Sequence, residues 1–541
     1  MFSLLLKARY FTFGAALGLL CVLAALGKHV TYEQSIQSFF AEDDPAVVAY
    51  SRASALFGND NVVFVCYEDA ALLTPAGIDR VAELAKALGP SQVPEVVRVE
   101  SLDAMPLLWE LDDRLIEREQ KGMLRALRGL AKNPDLTVAK KIRNPRTTPA
   151  SLAELEHKLT THPLFVGTLI DSRGTTTAVV LRLKPMGEQE PQRTIAAIRE
   201  RADAFAREHG LGRPALVGPP VLLADGYSAI EKDGERLARV GMLLIGLVTL
   251  SATWSIWWAA VPLVAGWAVW LATDTLLAEL GLKLSLSGGP LVAQIIVLTM
   301  PAASHLAIHF RDDRRNQPDR RLAGRSTLKA VTAPILWCAL TGAIGYGALF
   351  TSNVVPIRQF GAVLGICTLI AAVLTLVIAP VAMLPPFPLE LPVRQGTRSR
   401  LASGLNRMTA WVCHHPAPII MGVFALVLPL ALGIFRVKSE SNYINAFKPE
   451  SRVVRDYRFV ESRLGGIGLV ALVVHAGKEI NLEMLDRLRE LDTKVSGLRL
   501  GSLPAVTSVL SLATILDPER RLAALPPAQG AHALRSKLDL I

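Results

Sequence analysis

VGMLLIGLVTLSATWSIWWAAVPLVAGWAVWLAT, residues Val240–Thr273, runs for 34 positions without an Asp, Glu, Lys or Arg. At 1.5 Å per residue, a helix needs about 20 apolar residues to cross about 30 Å of hydrocarbon. The stretch is therefore too long for one crossing and right for two. Its turn is expected within Ser251–Trp258, with Trp254, Trp257 and Trp258 at the headgroup level. The flanking sequence repeats the pattern. Tyr10–Gly27, Leu284–Phe310, Ala330–Ile357, Gln359–Leu389 and Pro416–Phe435 also lack formal charge. Seven crossings follow, in the order one, five, one.

The whole chain agrees with a bilayer. Its 541 residues are 51% apolar and only 20% charged, with a mean hydropathy of +0.35. That composition excludes a disordered or nucleic-acid-wrapping protein. The net charge of +10 is an orientation signal. Lys7 and Arg9, the basic stretch Arg311–Lys329 and the linker Glu390–His415 carry nearly all of it. Alternation of seven crossings puts all three on one side, which the positive-inside rule makes the cytoplasm. The long polar stretches then lie outside. Residues 1–27 form the first crossing, 28–236 a first outer domain, and 237–389 crossings two to six. Residues 390–415 form a cytoplasmic linker, 416–435 the seventh crossing, and 436–541 a partial second outer domain.

Tyr10–Gly27 also has the length of a signal peptide, and Ala25-Leu26-Gly27 is a weak small-x-small cleavage site. An internal repeat argues that the segment stays. At an offset of 407, Ser35–Leu88 aligns without a gap onto Asn442–Val495. Phe40 falls on Phe447, Tyr50 on Tyr457, Gly58 on Gly465 and Val63 on Val470, and the first crossing falls on the seventh. Parallel repeats of this kind mark transporters; tandem duplication in a receptor or scaffold is the plainer alternative. The cysteines Cys21, Cys66, Cys338, Cys367 and Cys413 make no disulfide framework.

The first outer domain reads as α+β. Asn61–Tyr67, Val96–Val99, Thr176–Leu183 and Pro214–Val217 are strand candidates. Thr74–Leu88 and Gln192–His209 carry helical periodicity, the former behind a Thr-Pro start. Two β-α-β units suggest a ferredoxin-like split. Leu107–Leu130 reads as a charged amphipathic helix between them.

At this point the chain resembles the resistance-nodulation-division (RND) superfamily, on its MmpL-like and hopanoid-exporter side. The order of crossings and domains carries the likeness. So do Ser38-Phe39-Phe40 with Asp43-Asp44-Pro45, Gly218-Pro219-Pro220-Val221, Thr341-Gly342-Ala343-Ile344-Gly345-Tyr346, and Pro356-Ile357-Arg358-Gln359-Phe360-Gly361. The resemblance implies an α-helical polytopic membrane protein with α+β extracytoplasmic, porter-like domains, in RND-type repeats of one crossing, outer domain and five crossings. It implies a bacterial inner-membrane exporter of lipids or other hydrophobic molecules, driven by the proton gradient. Complete members have two full repeats. This chain holds one and part of the next, so either it is a fragment of a twelve-crossing protein or it departs from the family, with a partner, or a second copy of itself in a homo-oligomer, supplying the missing helices. A lipid- or sterol-sensing or scaffold protein of the same architecture is the alternative.

A proton-driven exporter needs a titratable group inside the bilayer, where such groups are costly and functional. MmpL-like proteins carry Asp-Tyr in the fourth crossing. Here the matching positions hold His305 and Leu306. Histidine changes charge near neutral pH, so His305, with Ser304 beside it, is the first proton-relay candidate; a neutral histidine satisfied by a neighbouring helix is the plain reading, and loss of proton coupling is the third. Pro301 lies four residues before it and removes a backbone hydrogen bond. Asp274 and Glu279, at the outer end of the third crossing, are further relay candidates or simply wetted, with Lys283 near enough to pair. His309 suits an interfacial role. Thr341, Gly342 and Gly345 allow close helix packing or a hinge. Cys413-His414-His415 cannot easily face one metal ion. No phosphate-binding loop, zinc-protease motif or serine elbow is present, so no cofactor and no enzyme is expected.

Overall fold

The computed structural model describes residues 8–26, 44–57, 61–107, 137–185, 190–281, 291–384, 400–437 and 442–500, except 146, 163, 254, 467, 469, 471 and 476–479, together with scattered positions between 503 and 538. The chain begins α1 (Arg9–Leu26), α2 (Pro45–Phe57), β1 (Val62–Glu68), α3 (Pro75–Ala87), β2 (Val96–Glu100), α4 (Val138–Arg143), α5 (Pro149–Thr161), β3 (Thr176–Leu183), α6 (Glu190–Glu208) and β4 (Ala215–Val217). It continues α7 (Pro219–Thr253), α8 (Ile256–Glu279), α9 (Leu291–Asn316), α10 (Arg320–Gly347), α11 (Val355–Met383), α12 (Arg400–His414), α13 (Pro416–Ala431), α14 (Arg452–Leu464) and α15 (Leu482–Ser496). The helix expected beyond Leu107 lies outside the described residues. Two compact units result: Pro45–Gly226 with Ile444–Ile541, and Met1–Asp44 with Tyr227–Tyr443.

The first unit is α+β. Its sheet has the order β2-β3-β1-β4, antiparallel throughout. The units β1-α3-β2 and β3-α6-β4 therefore interleave, each lending a strand to the other's gap. Thr74 caps α3 by accepting from the Gly77 N–H at 3.2 Å, ahead of Pro75. Ile78, Val81 and Leu84 then turn one face inward. They meet Val63, Val65, Tyr67, Val179 and Leu181 from alternate positions of β1 and β3, as the period of two in a strand requires.

The opposite face of the sheet is covered from far along the sequence. Val453, Val454, Tyr457, Val460 and Leu464 of α14 bury against Cys66, Ala178, Ala215 and Val217. Three polar contacts fix the helix there. Asp456 Oδ2 accepts from the Leu216 N–H at 3.1 Å, satisfying a donor on the edge strand. The Tyr457 hydroxyl accepts from the Gly218 N–H and donates to the Gly218 carbonyl, each at 3.2 Å. Arg452 pairs with Asp203 of α6 at 3.0 Å. So the stretch after the last charge-free run, which the sequence sets apart as a partial second domain, lends α14 to the sheet of the first. Tyr457→Phe removes only the hydroxyl and strands the buried Gly218 N–H, while the Gly218 carbonyl keeps the Val221 and Leu222 N–H groups. We expect it to weaken the docking of α14 by about 1–3 kcal/mol, read as faster hydrogen exchange in β4; unchanged exchange would count against the contact.

Burial pushes the Asp456 carboxyl above its usual range, against the opposing pull of the Leu216 N–H, Arg452, Arg199 and Arg213. A raised carboxyl binds its proton more tightly folded than unfolded. Its contribution to stability is therefore full below about pH 3.8 and is lost as pH climbs through the raised value. Asp456→Asn should flatten that part of the pH dependence of α14 docking. A variant as pH-dependent as the unaltered chain would contradict this.

The second unit is a helical bundle. Among the described residues, five helices are long and apolar enough to cross a membrane: Ile256–Glu279, Ala293–Asn316, Arg320–Thr351, Val355–Met383 and Pro416–Arg436. α1 and the apolar half of α7 are helical as well. α7 ends at Thr253 and α8 starts behind the cap Ser255, which accepts from the Trp258 N–H. Trp254 lies outside the described residues. Small side chains bring the helices together: Ala265, Ala303, Ala307, Ala323, Ala339, Ala372 and Ala379 sit in one core, where alanine permits close approach. A Cβ on Gly361 of α11 would lie 2.6 Å from the Tyr346 carbonyl. No residue of α13 is buried.

Candidate proton-carrying site

The site forms on α9 and its neighbours. Ile295, Thr299, Ala303, Leu306, Ala307 and Phe310 of α9 are buried, at the i, i+4, i+7 spacing of one helical face. Phe310 packs on Trp258 of α8, with ring centroids 5.7 Å apart. At the same end the Trp257 indole donates to the Ala382 carbonyl of α11 at 2.8 Å. Further along, the Cys367 thiol of α11 donates to Thr273 Oγ1 of α8 at 3.4 Å, both residues being fully buried. α8 and α9 run antiparallel from the Trp258–Phe310 contact, so Asp274 stands level with Gln294. Ser304 and His305 stand about ten residues nearer the aromatic end, about 15 Å along the axis.

His305 is exposed, on the side of α9 turned away from the bundle core. Pro301 and His309 share that exposed side. Ser304 is half-buried, and its hydroxyl oxygen is buried without a hydrogen-bond partner among the described residues. Asp274 is half-buried between the buried Thr273 and Thr275, whereas Glu279 is exposed. Lys283 lies outside the described residues. The four relay candidates thus form no single cluster. They are spread along the bundle, with Glu279 near the end of α8, Asp274 inside it, and Ser304 and His305 deeper.

α9 stays helical through Pro301. Thr341 is exposed and its hydroxyl bonds back to the Trp337 carbonyl at 2.9 Å. A Cβ on Gly342 would meet Thr368 at 3.4 Å, and one on Gly345 would meet nothing within 4 Å. Gly361 is the tighter contact. Among the described residues no group of His, Cys, Asp and Glu could hold a metal ion. Sequence reasoning passed over two polar groups: Gln294 and Gln359, whose buried Oε1 atoms have no hydrogen-bond partner among the described residues. Amides at helix starts carry no motif. The α14 contacts were also missed, although Tyr457 had been flagged by its alignment with Tyr50.

A bundle of apolar, membrane-length helices attached in sequence to an α+β unit defines a multi-pass membrane protein. A family model described as the MMPL family matches residues 40–419, well over half of the 541 residues. The chain belongs to the MMPL family, which marks it as an RND-type transporter rather than an enzyme. Comparison with curated proteins gives no match.

Proposed function

We propose that this transporter is a bacterial inner-membrane exporter that moves lipids or other hydrophobic molecules, driven by the proton gradient. The observation that carries the reading is the family match from residue 40 to 419, which takes in both the α+β sequence and the apolar helices α7 to α11. The basic loops orient the α+β unit to the periplasm. In this reading His305 is the proton carrier, with the unpartnered Ser304 hydroxyl beside it. Asp274 and Glu279 form the uptake side. A titratable side chain facing lipid is costly, so in this reading the exposed face of α9 is covered by further crossings.

The test is lipid movement in proteoliposomes holding the full chain and a fluorescent phospholipid, under an imposed pH gradient. Movement should begin with the gradient and stop when a protonophore removes it. Movement indifferent to the protonophore sinks the proton coupling. No movement under either condition supports a lipid-sensing or scaffold protein instead.

A further inference from the structure

α12 stands outside both the transport reading and the bundle core. Every α12 side chain described is exposed. Met408 and Trp411 are each 57% exposed and Val412 40%, a poor fit to water for large apolar groups. The sequence explains the pattern. Leu401, Leu405, Met408 and Val412 recur at i, i+4, i+7 and i+11, a narrow apolar arc at 3.6 residues per turn. Arg400 and Arg407, seven residues apart, fall about 110° around the helix from that arc. Trp411 falls between arc and arginines. This is the arrangement of a helix lying in a membrane interface: apolar residues in the acyl boundary, tryptophan at its edge, and arginines reaching up to phosphates.

Two further observations choose the occupant. Only His415 separates α12 from α13, the first part of the membrane-length apolar span Pro416–Arg436, so α12 ends beside the bilayer. The Trp411 ring stacks on His415 at 5.5 Å across that elbow. The linker Glu390–His415 carries four arginines against one acid. That excess complements an anionic surface, where each basic residue close to the headgroups adds attraction.

We infer that α12 lies flat on the bilayer and binds the headgroups of anionic phospholipids through Arg400 and Arg407, with Met408 and Val412 in the acyl boundary. The inference rests on the membrane assignment and not on transport, so a silent transport assay leaves it standing.

The test is hydrogen exchange of residues 400–414 in the full chain, held in nanodiscs of phosphatidylcholine alone or with one-third phosphatidylglycerol. Exchange should slow on the order of tenfold in the anionic discs. The double variant R400Q/R407Q should erase that difference while α8 to α11 exchange as before. Met408→Glu should speed exchange in both discs. Equal exchange of the unaltered chain in the two bilayers would overturn the inference, and would point to a protein surface or a second copy as the cover. A difference that survives R400Q/R407Q would overturn the role of the arginines.

Discussion

Gly218→Ala should strip hydrogen-exchange protection from β1 and β4 while leaving the bundle helices protected. Gly218 sits at φ +134°, a conformation that residues with side chains rarely adopt. A Cβ there would lie 2.2 Å from the Val62 carbonyl oxygen at the start of β1. That oxygen belongs to the backbone of a paired strand and cannot swing aside. The same residue gives both its N–H and its carbonyl to Tyr457. Strain of about 1–3 kcal/mol and overpacking of about 1–3 kcal/mol together cost on the order of 2–6 kcal/mol. That is enough to release β4 and α14. Protection of β4 equal to that of the unaltered chain would show that the glycine is not required.

The second large effect is functional. His305→Ala should lower proton flux through the reconstituted chain at least about tenfold, because it removes the group proposed to carry the proton between the two ends of the bundle. His309→Ala is the control. It lies one turn along, beside the basic loop, and should leave the flux nearly unchanged. Asp274→Asn should give an intermediate loss, since it removes a group of the uptake side. If His305→Ala conducts as well as the unaltered chain while Asp274→Asn does not, the carrier is the carboxylate on α8.

Much of the fold could be read from the residues alone. Thr176–Leu183 was expected as a strand and is β3. The Thr-Pro start before α3 acts as a cap, because a threonine oxygen can reach the first free N–H groups of a helix. The repeat reappears in the helix starts: Pro45 and Arg452, like Pro75 and Leu482, lie 407 residues apart. These features are local or periodic, so spacing alone can show them. What stayed hidden depends on contacts far apart in sequence. The Asp456–Leu216 bond spans 240 residues, and no periodicity marks it. The outward position of His305 depends on which side of α9 meets Trp258. The close approach at Gly361 depends on where the α10 backbone passes. A glycine in an apolar run does not reveal which neighbour needs the space.

The central claim is a proton-coupled RND-type transporter, and the most direct test is proton flux in proteoliposomes holding the intact chain, with a pH dye inside and a gradient imposed across the membrane. The account predicts that the gradient collapses faster than in protein-free liposomes, and faster again when a hydrophobic cargo is present. A gradient that decays at the protein-free rate, with or without cargo, would contradict it.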